Sequence, residues 1–179
     1  MIRFFDILIA VLLLIFFSPI MVMISIFVLI TDGRPIIFKQ IRIGYRGKKF
    51  LIYKFRTMRN FIFKDEKLRL TYFGKILRKT SLDELPQLIN VLNQDMSIVG
   101  PRPLPVNIEK KIKKSLKIKR REILPGITGM SQINYTGKKR KLIDKIKLDI
   151  ELIENYNTYN YFKILLKTLI VIIIRFFKN

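Results

Sequence analysis

The sequence predicts a mostly helical α+β domain with one small β-hairpin, fixed to a membrane at its N-terminus. Three observations carry this expectation. The run Ile7 to Ile30 (ILIAVLLLIFFSPIMVMISIFVLI) holds no charge and is bounded by Asp6 and Asp32. At about 1.5 Å per residue it is long enough for a bilayer core roughly 30 Å thick. Two runs rich in Ile, Phe and Tyr, IIFKQIRI at 36–43 and KFLIYKF at 49–55, flank Gly44-Tyr45-Arg46-Gly47; such runs around a Gly-bounded turn read as a hairpin. Helical patterning fills much of the rest, at 59–79, 84–93 and 138–157.

The N-terminal run is too long for a signal peptide, and no small-residue cleavage site follows it. Ser18-Pro19 falls in its middle. Proline removes a backbone donor and clashes with the preceding turn, so a kink is expected there. The Ser18 hydroxyl can satisfy a freed carbonyl. A kinked spanning helix and a re-entrant hairpin both fit. The Lys and Arg density after Ile30 puts everything downstream on the cytoplasmic side in either case.

At the other end, YFKILLKTLIVIIIRFFKN has its longest apolar run at Leu169 to Ile174, with Lys163 and Lys167 upstream. That is too short to span. An interfacial helix with snorkelling Lys and Arg fits, as does a core helix of the domain.

Between the ends, Val99-Gly100-Pro101-Arg102-Pro103-Leu104-Pro105 must be extended, because its prolines forbid a helix. Leu124 to Gly129 (LPGITG) reads as a second rigid turn. Residues 108–121 form a basic helical stretch, with Lys and Arg dense from Lys110 to Arg121. It could track nucleic-acid phosphates. Next to a membrane segment, anionic lipid heads are the better partner, and no nucleic acid is expected.

Composition narrows the chemistry. With 35 basic and 13 acidic residues, the net charge of +22 favours anionic partners. The chain has no Cys and no His, which removes disulfides, thiolate nucleophiles, imidazole bases and ordinary zinc sites. A metal here would be a hard cation on carboxylates and phosphates, Mg²⁺ or Mn²⁺.

Against that background the adjacent acids of TSLDELPQL, residues 80–88, stand out. Ser81-Leu82-Asp83-Glu84 matches a capping box. Pro86 would then lie too deep in the helix. A helix starting near Pro86 suits the proline better and leaves Asp83 and Glu84 just outside it. Carboxylates repel phosphates unless a divalent cation bridges them, so an acidic pair beside cationic loops suggests Mg²⁺ with a diphosphate. Arg102, held between two prolines, suits bidentate phosphate recognition. Lys54, Arg56 and Arg78 are further donors near these motifs.

Four motifs in order, Lys54 to Met58 (KFRTM), Ser81 to Gln87 (SLDELPQ), Asp95 to Pro103 (DMSIVGPRP) and Pro125 to Gly129 (PGITG), resemble the bacterial sugar transferases. These are the monotopic phosphoglycosyl transferases that start glycan assembly on a polyprenol carrier. The resemblance covers nearly the whole chain, Ser18-Pro19 included, and looks like the family's minimal, catalytic-domain form. It implies a re-entrant membrane helical hairpin over 1–31 turning at Ser18 and Pro19. A catalytic domain over 32–158 at the cytoplasmic face of the bacterial inner membrane and a C-terminal interfacial helix over 159–179 would follow.

The implied reaction moves a sugar 1-phosphate from a UDP-sugar to polyprenyl (undecaprenyl) phosphate, with UMP leaving. By the same resemblance, Asp83 is the nucleophile that forms a phosphosugar–aspartyl intermediate, and Asp83 and Glu84 hold Mg²⁺. Arg102, Lys54, Arg78 and Gln132 would bind phosphate and nucleotide. A homodimer is left open. The chain departs from the family pattern at Gln94, where Gly is usual, at Tyr135-Thr136-Gly137, at Leu152 in place of Tyr, and at Tyr161 in place of Asp; Asp149 matches a family Asp. Two rivals differ in kind: a membrane adaptor of a glycan assembly complex without catalysis, and a basic nucleic-acid-binding protein, which leaves Ser81 to Gln87 unexplained.

Overall fold

Helix α1, Ile2–Asp32, stays helical across Ser18-Pro19 in the computed structural model, which describes residues 1–59, 69–134 and 141–177. Helical backbone therefore runs through Pro19 without a non-helical interruption. Pro19 leaves the Ile15 carbonyl without its donor, and Ser18 Oγ donates to that oxygen at 2.8 Å. Most of α1 is exposed apolar surface; Ile15 and Phe16, beside the proline, are 68% and 73% exposed. Toward each end one face is buried. Near the start, Ala10 and Asp6 are fully buried, and near the finish Ile24 and Val28 are buried.

The hairpin forms as expected, from β1 (Ile37–Ile43) and β2 (Lys49–Phe55), antiparallel. Its register pairs Phe38 with Lys54, Gln40 with Ile52 and Arg42 with Phe50. Directly opposed residues share a face. The polar Gln40, Arg42 and Lys54 therefore lie on the face that buries Phe50 and Ile52.

Helix α2 (Tyr72–Thr80) begins at Thr71, whose hydroxyl accepts from Gly74 N at 2.9 Å. The expectation of a helix over 59–79 holds for its last part; residues 60–68 lie outside the described residues. Helix α3 (Gln87–Leu92) follows, capped at Asn93.

The two loop motifs prove to be one unit. Strand β3 (Ser97–Val99) pairs in parallel with β4 (Gly126–Thr128), so the expected turn at 124–129 is largely a strand. The motifs meet where Gly100 and Gly126 press together: a Cβ on Gly126 would lie 2.0 Å from Gly100 N. No side chain fits at either glycine, which is why proline-stiffened segments can pair so closely.

The basic stretch also differs from expectation. It forms two short helices, α4 (Val106–Lys110) and α5 (Lys114–Arg120), rather than one charged helix. Arg120 and Arg121 turn inward to Glu109 and Asp149. Helices α6 (Met130–Ile133), α7 (Leu142–Glu154) and α8 (Thr158–Phe177) complete the described chain. The C-terminal helix divides along its length. Tyr161 and Ile164 at its start are core residues, whereas Leu166, Ile170 and Ile173 further along are more than half exposed.

One core gathers Met96, Val99, Leu152 and Tyr161 around Ala10; a second joins Ile24 and Val28 to Phe55 and Leu77, and Leu85 touches both.

Candidate active site

The acidic pair sits on a 3-10 turn, Leu82–Glu84, between α2 and α3. Ser81 opens the turn in the left-handed region, at φ 59°. Its side chain makes no capping bond; instead Glu84 N donates to the Ser81 carbonyl at 3.1 Å. The capping box therefore does not form. Pro86 stands at the N-cap of α3, which leaves both acids just outside that helix, as its proline requires.

The two carboxylates are treated differently. Glu84 Oε1 accepts from Lys54 Nζ at 2.5 Å and from Arg102 Nη2 at 3.3 Å. Burial works against its charge, yet Arg102 and Lys54 together hold its carboxyl below the usual range. Asp83 is buried and makes no hydrogen bond or ion pair with any described residue. Burial and the neighbouring Glu84 charge push its carboxyl up to about 6, against the pull of Lys54, Arg78 and Arg102. One acid is thus locked by cations, and the other has no hydrogen-bond partner among the described residues.

A cavity of about 1100 Å³ opens over the pair. Asp83, Glu84, Lys54, Arg78, Arg102 and Gln132, all expected from sequence, line it together. Arg78 is aimed by a bond from Nε to Thr57 Oγ1 at 3.0 Å. Ser18 and Pro19 are elsewhere, on the exposed middle of α1. Arg56 also lines the cavity, but its terminal nitrogens are engaged by backbone carbonyls. Its buried guanidinium caps the C-terminus of α1, donating to Arg34 O at 2.9 Å, to Gly33 O at 2.6 Å and to Asp32 O.

Sequence reasoning missed Arg42. It lines the same cavity, and burial with the neighbouring Arg102 lowers its pKa to about 10. Alternation along β1 was the available signal, since it sets Arg42 on the face of Lys54. Arg120 was also missed. It is buried, ion-paired to Asp149 and Glu109, and bonded to the Arg102 backbone. The departures from the family pattern, and the matching Asp149, fall in different surroundings. Leu152 and Tyr161 are buried core side chains, Asp149 partners Arg120, and Gln94 takes a positive φ of 63°; Tyr135 to Gly137 lie outside the described residues.

Fold and site define an anion-handling pocket walled in part by helices with apolar outer faces. Among the described residues, α1 is the helix long and apolar enough to cross a membrane, which puts the protein at a membrane. The chain belongs to the bacterial sugar transferase family, whose model matches residues 1–175. It is 41% identical over 180 residues to the uncharacterized sugar transferase EpsL of Bacillus subtilis (strain 168), covering 93% of this chain and 84% of that protein. It is 36% identical over 178 residues to the UDP-glucose:undecaprenyl-phosphate glucose-1-phosphate transferase of Escherichia coli (strain K12), covering 91% of this chain and 38% of that protein. Identity is 34% over 186 residues to the UDP-N-acetylgalactosamine-undecaprenyl-phosphate N-acetylgalactosaminephosphotransferase of Aeromonas hydrophila, covering 97% of this chain and 44% of that protein. By family the chain is a transferase.

Proposed function

We propose that this chain transfers a sugar 1-phosphate from a UDP-sugar to polyprenyl (undecaprenyl) phosphate, releasing UMP, as the first membrane step of bacterial glycan assembly. The names of its relatives supply the substrate classes. One observation within the site carries the chemistry: Glu84 is engaged by two cations while Asp83, beside it, lines the cavity with no hydrogen-bond partner among the described residues.

A carboxylate can act as a covalent nucleophile when ionised. In this reading an Asp83 oxygen attacks the phosphorus bonded to the sugar. The phosphoanhydride breaks, and UMP departs with the bonding electron pair. An oxygen of polyprenyl phosphate then attacks the same phosphorus and returns Asp83 as a carboxylate. One phosphoanhydride replaces another, so no ATP is needed. Lys54, Arg78 and Arg102 offset the charge that builds on the phosphoryl oxygens. Gln132 and Arg42 border the space where the nucleotide sugar would lie.

A divalent cation fits this donor set. Among the described residues no group of three or more carboxylates is present to hold one alone. Mg²⁺ commonly takes one or two carboxylates and fills its remaining positions with water and substrate phosphate. Asp83 and Glu84 would hold it, Mn²⁺ being the alternative, and it would neutralise diphosphate charge. The 1–31 segment is read as re-entrant. Its two ends pack on cores that share Leu85, whereas a spanning helix would separate its ends by a bilayer. Residues 32–158 would then work at the cytoplasmic face of the inner membrane, with 159–179 on anionic lipid.

The test is a panel of UDP-sugars with the purified full chain and undecaprenyl phosphate. UMP is released with one or a few sugars. Without acceptor, a labelled sugar phosphate stays on the wild-type protein and not on Asp83→Asn. An adduct on Asp83→Asn, or no UMP from any sugar, overturns the reading.

A further inference from the structure

The cavity lining is of two chemical kinds, cationic and apolar, and the second is not explained by a nucleotide sugar. Besides the cations, it includes Leu165, Thr168, Leu169 and Ile172 of α8 and Leu13 and Phe17 of α1. The α8 residues follow the i, i+3, i+4, i+7 spacing of one helix face, and the α1 pair is spaced i, i+4. We propose that this apolar lining seats the isoprenoid chain of the lipid phosphate acceptor, admitted from the bilayer between α1 and α8. The inference rests on the polyprenyl-phosphate reading and adds where that substrate lies.

The pairing of polarities argues for this occupant. A long isoprenoid phosphate is charged at one end and apolar throughout the rest. One continuous cavity holds Asp83, the cations Lys54, Arg78 and Arg102, and the mainly apolar stripes of α1 and α8. The stripes also continue into surfaces suited to lipid. On α1, Ile15 and Phe16 are 68% and 73% exposed; on α8, Ile170 and Ile173 are both 56% exposed. Within the lining, Thr168 Oγ1 and Thr128 Oγ1 share a hydrogen bond of 2.8 Å, which ties α8 to β4. A chain leaving the bilayer along the stripes would bring its phosphate to the cations with little apolar surface passing through water.

The test uses the full chain in lipid nanodiscs and a polyprenyl phosphate carrying a diazirine in its second isoprene unit. Labelling is expected on peptides holding Leu13 to Phe17 and Leu165 to Ile172, and excess undecaprenyl phosphate should suppress it. In turnover, Leu169→Gln should raise the KM for undecaprenyl phosphate about tenfold, and Ile170→Gln, on the outer face, should leave it within about twofold. Labelling elsewhere, no competed labelling, or equal effects of the two substitutions overturns the proposal. The two readings fail separately. UMP release without labelling of the stripes removes only the lipid seat. Competed labelling without UMP release from any sugar removes only the transferase reading.

Discussion

The buried guanidinium of Arg120 donates to the backbone carbonyl of Arg102 at 2.7 Å, while the Arg102 side chain reaches forward to Glu84. Asp149 accepts from Arg120 at 2.9 and 3.1 Å, and Glu109 accepts at 3.2 Å. Arg120 is thus a positioning residue held by two acids. Lysine cannot reproduce this fork. Arg120→Lys should raise the donor KM about tenfold, and the effect should vanish when Arg102 is already Ala, a coupling that a double-mutant cycle reads. Arg120→Ala leaves two buried acids short of a partner and should cost about 3–5 kcal/mol in thermal unfolding.

Asp83→Asn should give an inactive protein that is more stable than the wild type. A carboxyl raised from 3.8 to about 6 binds its proton more tightly folded than unfolded. Its contribution to stability is full below the unfolded pKa and is lost as pH rises through about 6. At pH 7 the ionised group is therefore a burden of about 3 kcal/mol, which Asn removes. The melting temperature at pH 7 should rise while adduct formation disappears, and the gap between variant and wild type should close toward pH 4. In metal-free wild type, a rate of adduct formation that shows no fall below about pH 6 would contradict the site's electrostatics.

Removing divalent cations with excess EDTA should lower turnover about a hundredfold or more, and Mg²⁺ should restore it. Full activity in EDTA would mean that Lys54, Arg78 and Arg102 suffice for the diphosphate.

Gln94 follows α3 with φ at 63°, a conformation that costs a non-glycine residue about 1–2 kcal/mol. Gln94→Gly should recover part of that, up to about 1 kcal/mol after the unfolded chain's greater freedom is counted. Thermal unfolding should show it, with no change in UMP release.

Because the chain has no cysteine, single cysteines placed at Phe4 and at Gly33 can be labelled without background. Both should react with a membrane-impermeant reagent from the same side. Labelling from opposite sides would make α1 a spanning helix.

Much of this was legible in the sequence because it depends on local rules. The hairpin follows from β-rich runs around a glycine-bounded turn, and the displacement of Asp83 and Glu84 from α3 follows from the ring of Pro86. Of the six cavity residues, Lys54, Asp83, Glu84 and Arg102 lie in the ordered motifs and Arg78 and Gln132 lie outside them; composition says nothing of their meeting. What stayed hidden depends on tertiary contact. The segment Gly126–Thr128 reads as a turn until β3 lies beside it. Arg56 looks like an anion donor until the end of α1 arrives beneath it. Arg120 looks like one more surface charge, because the acids that bury it come from elsewhere in the chain.

Asp6 and Tyr161, joined by a bond of 2.9 Å, are 155 residues apart in the chain. Synthesis makes the first of them 155 residues ahead of the second. Helix α1 can enter lipid before the segment leading to Tyr161 is made, but Asp6, Ser97 and Tyr161 cannot close on one another until α8 has emerged. Long-range closure of this kind is slow. Throughout that interval the nascent protein holds an open, half-built core at the membrane surface, and a ribosome stalled before Tyr161 would leave it open. Biogenesis, rather than the finished fold, is where this chain is most exposed to aggregation and proteolysis.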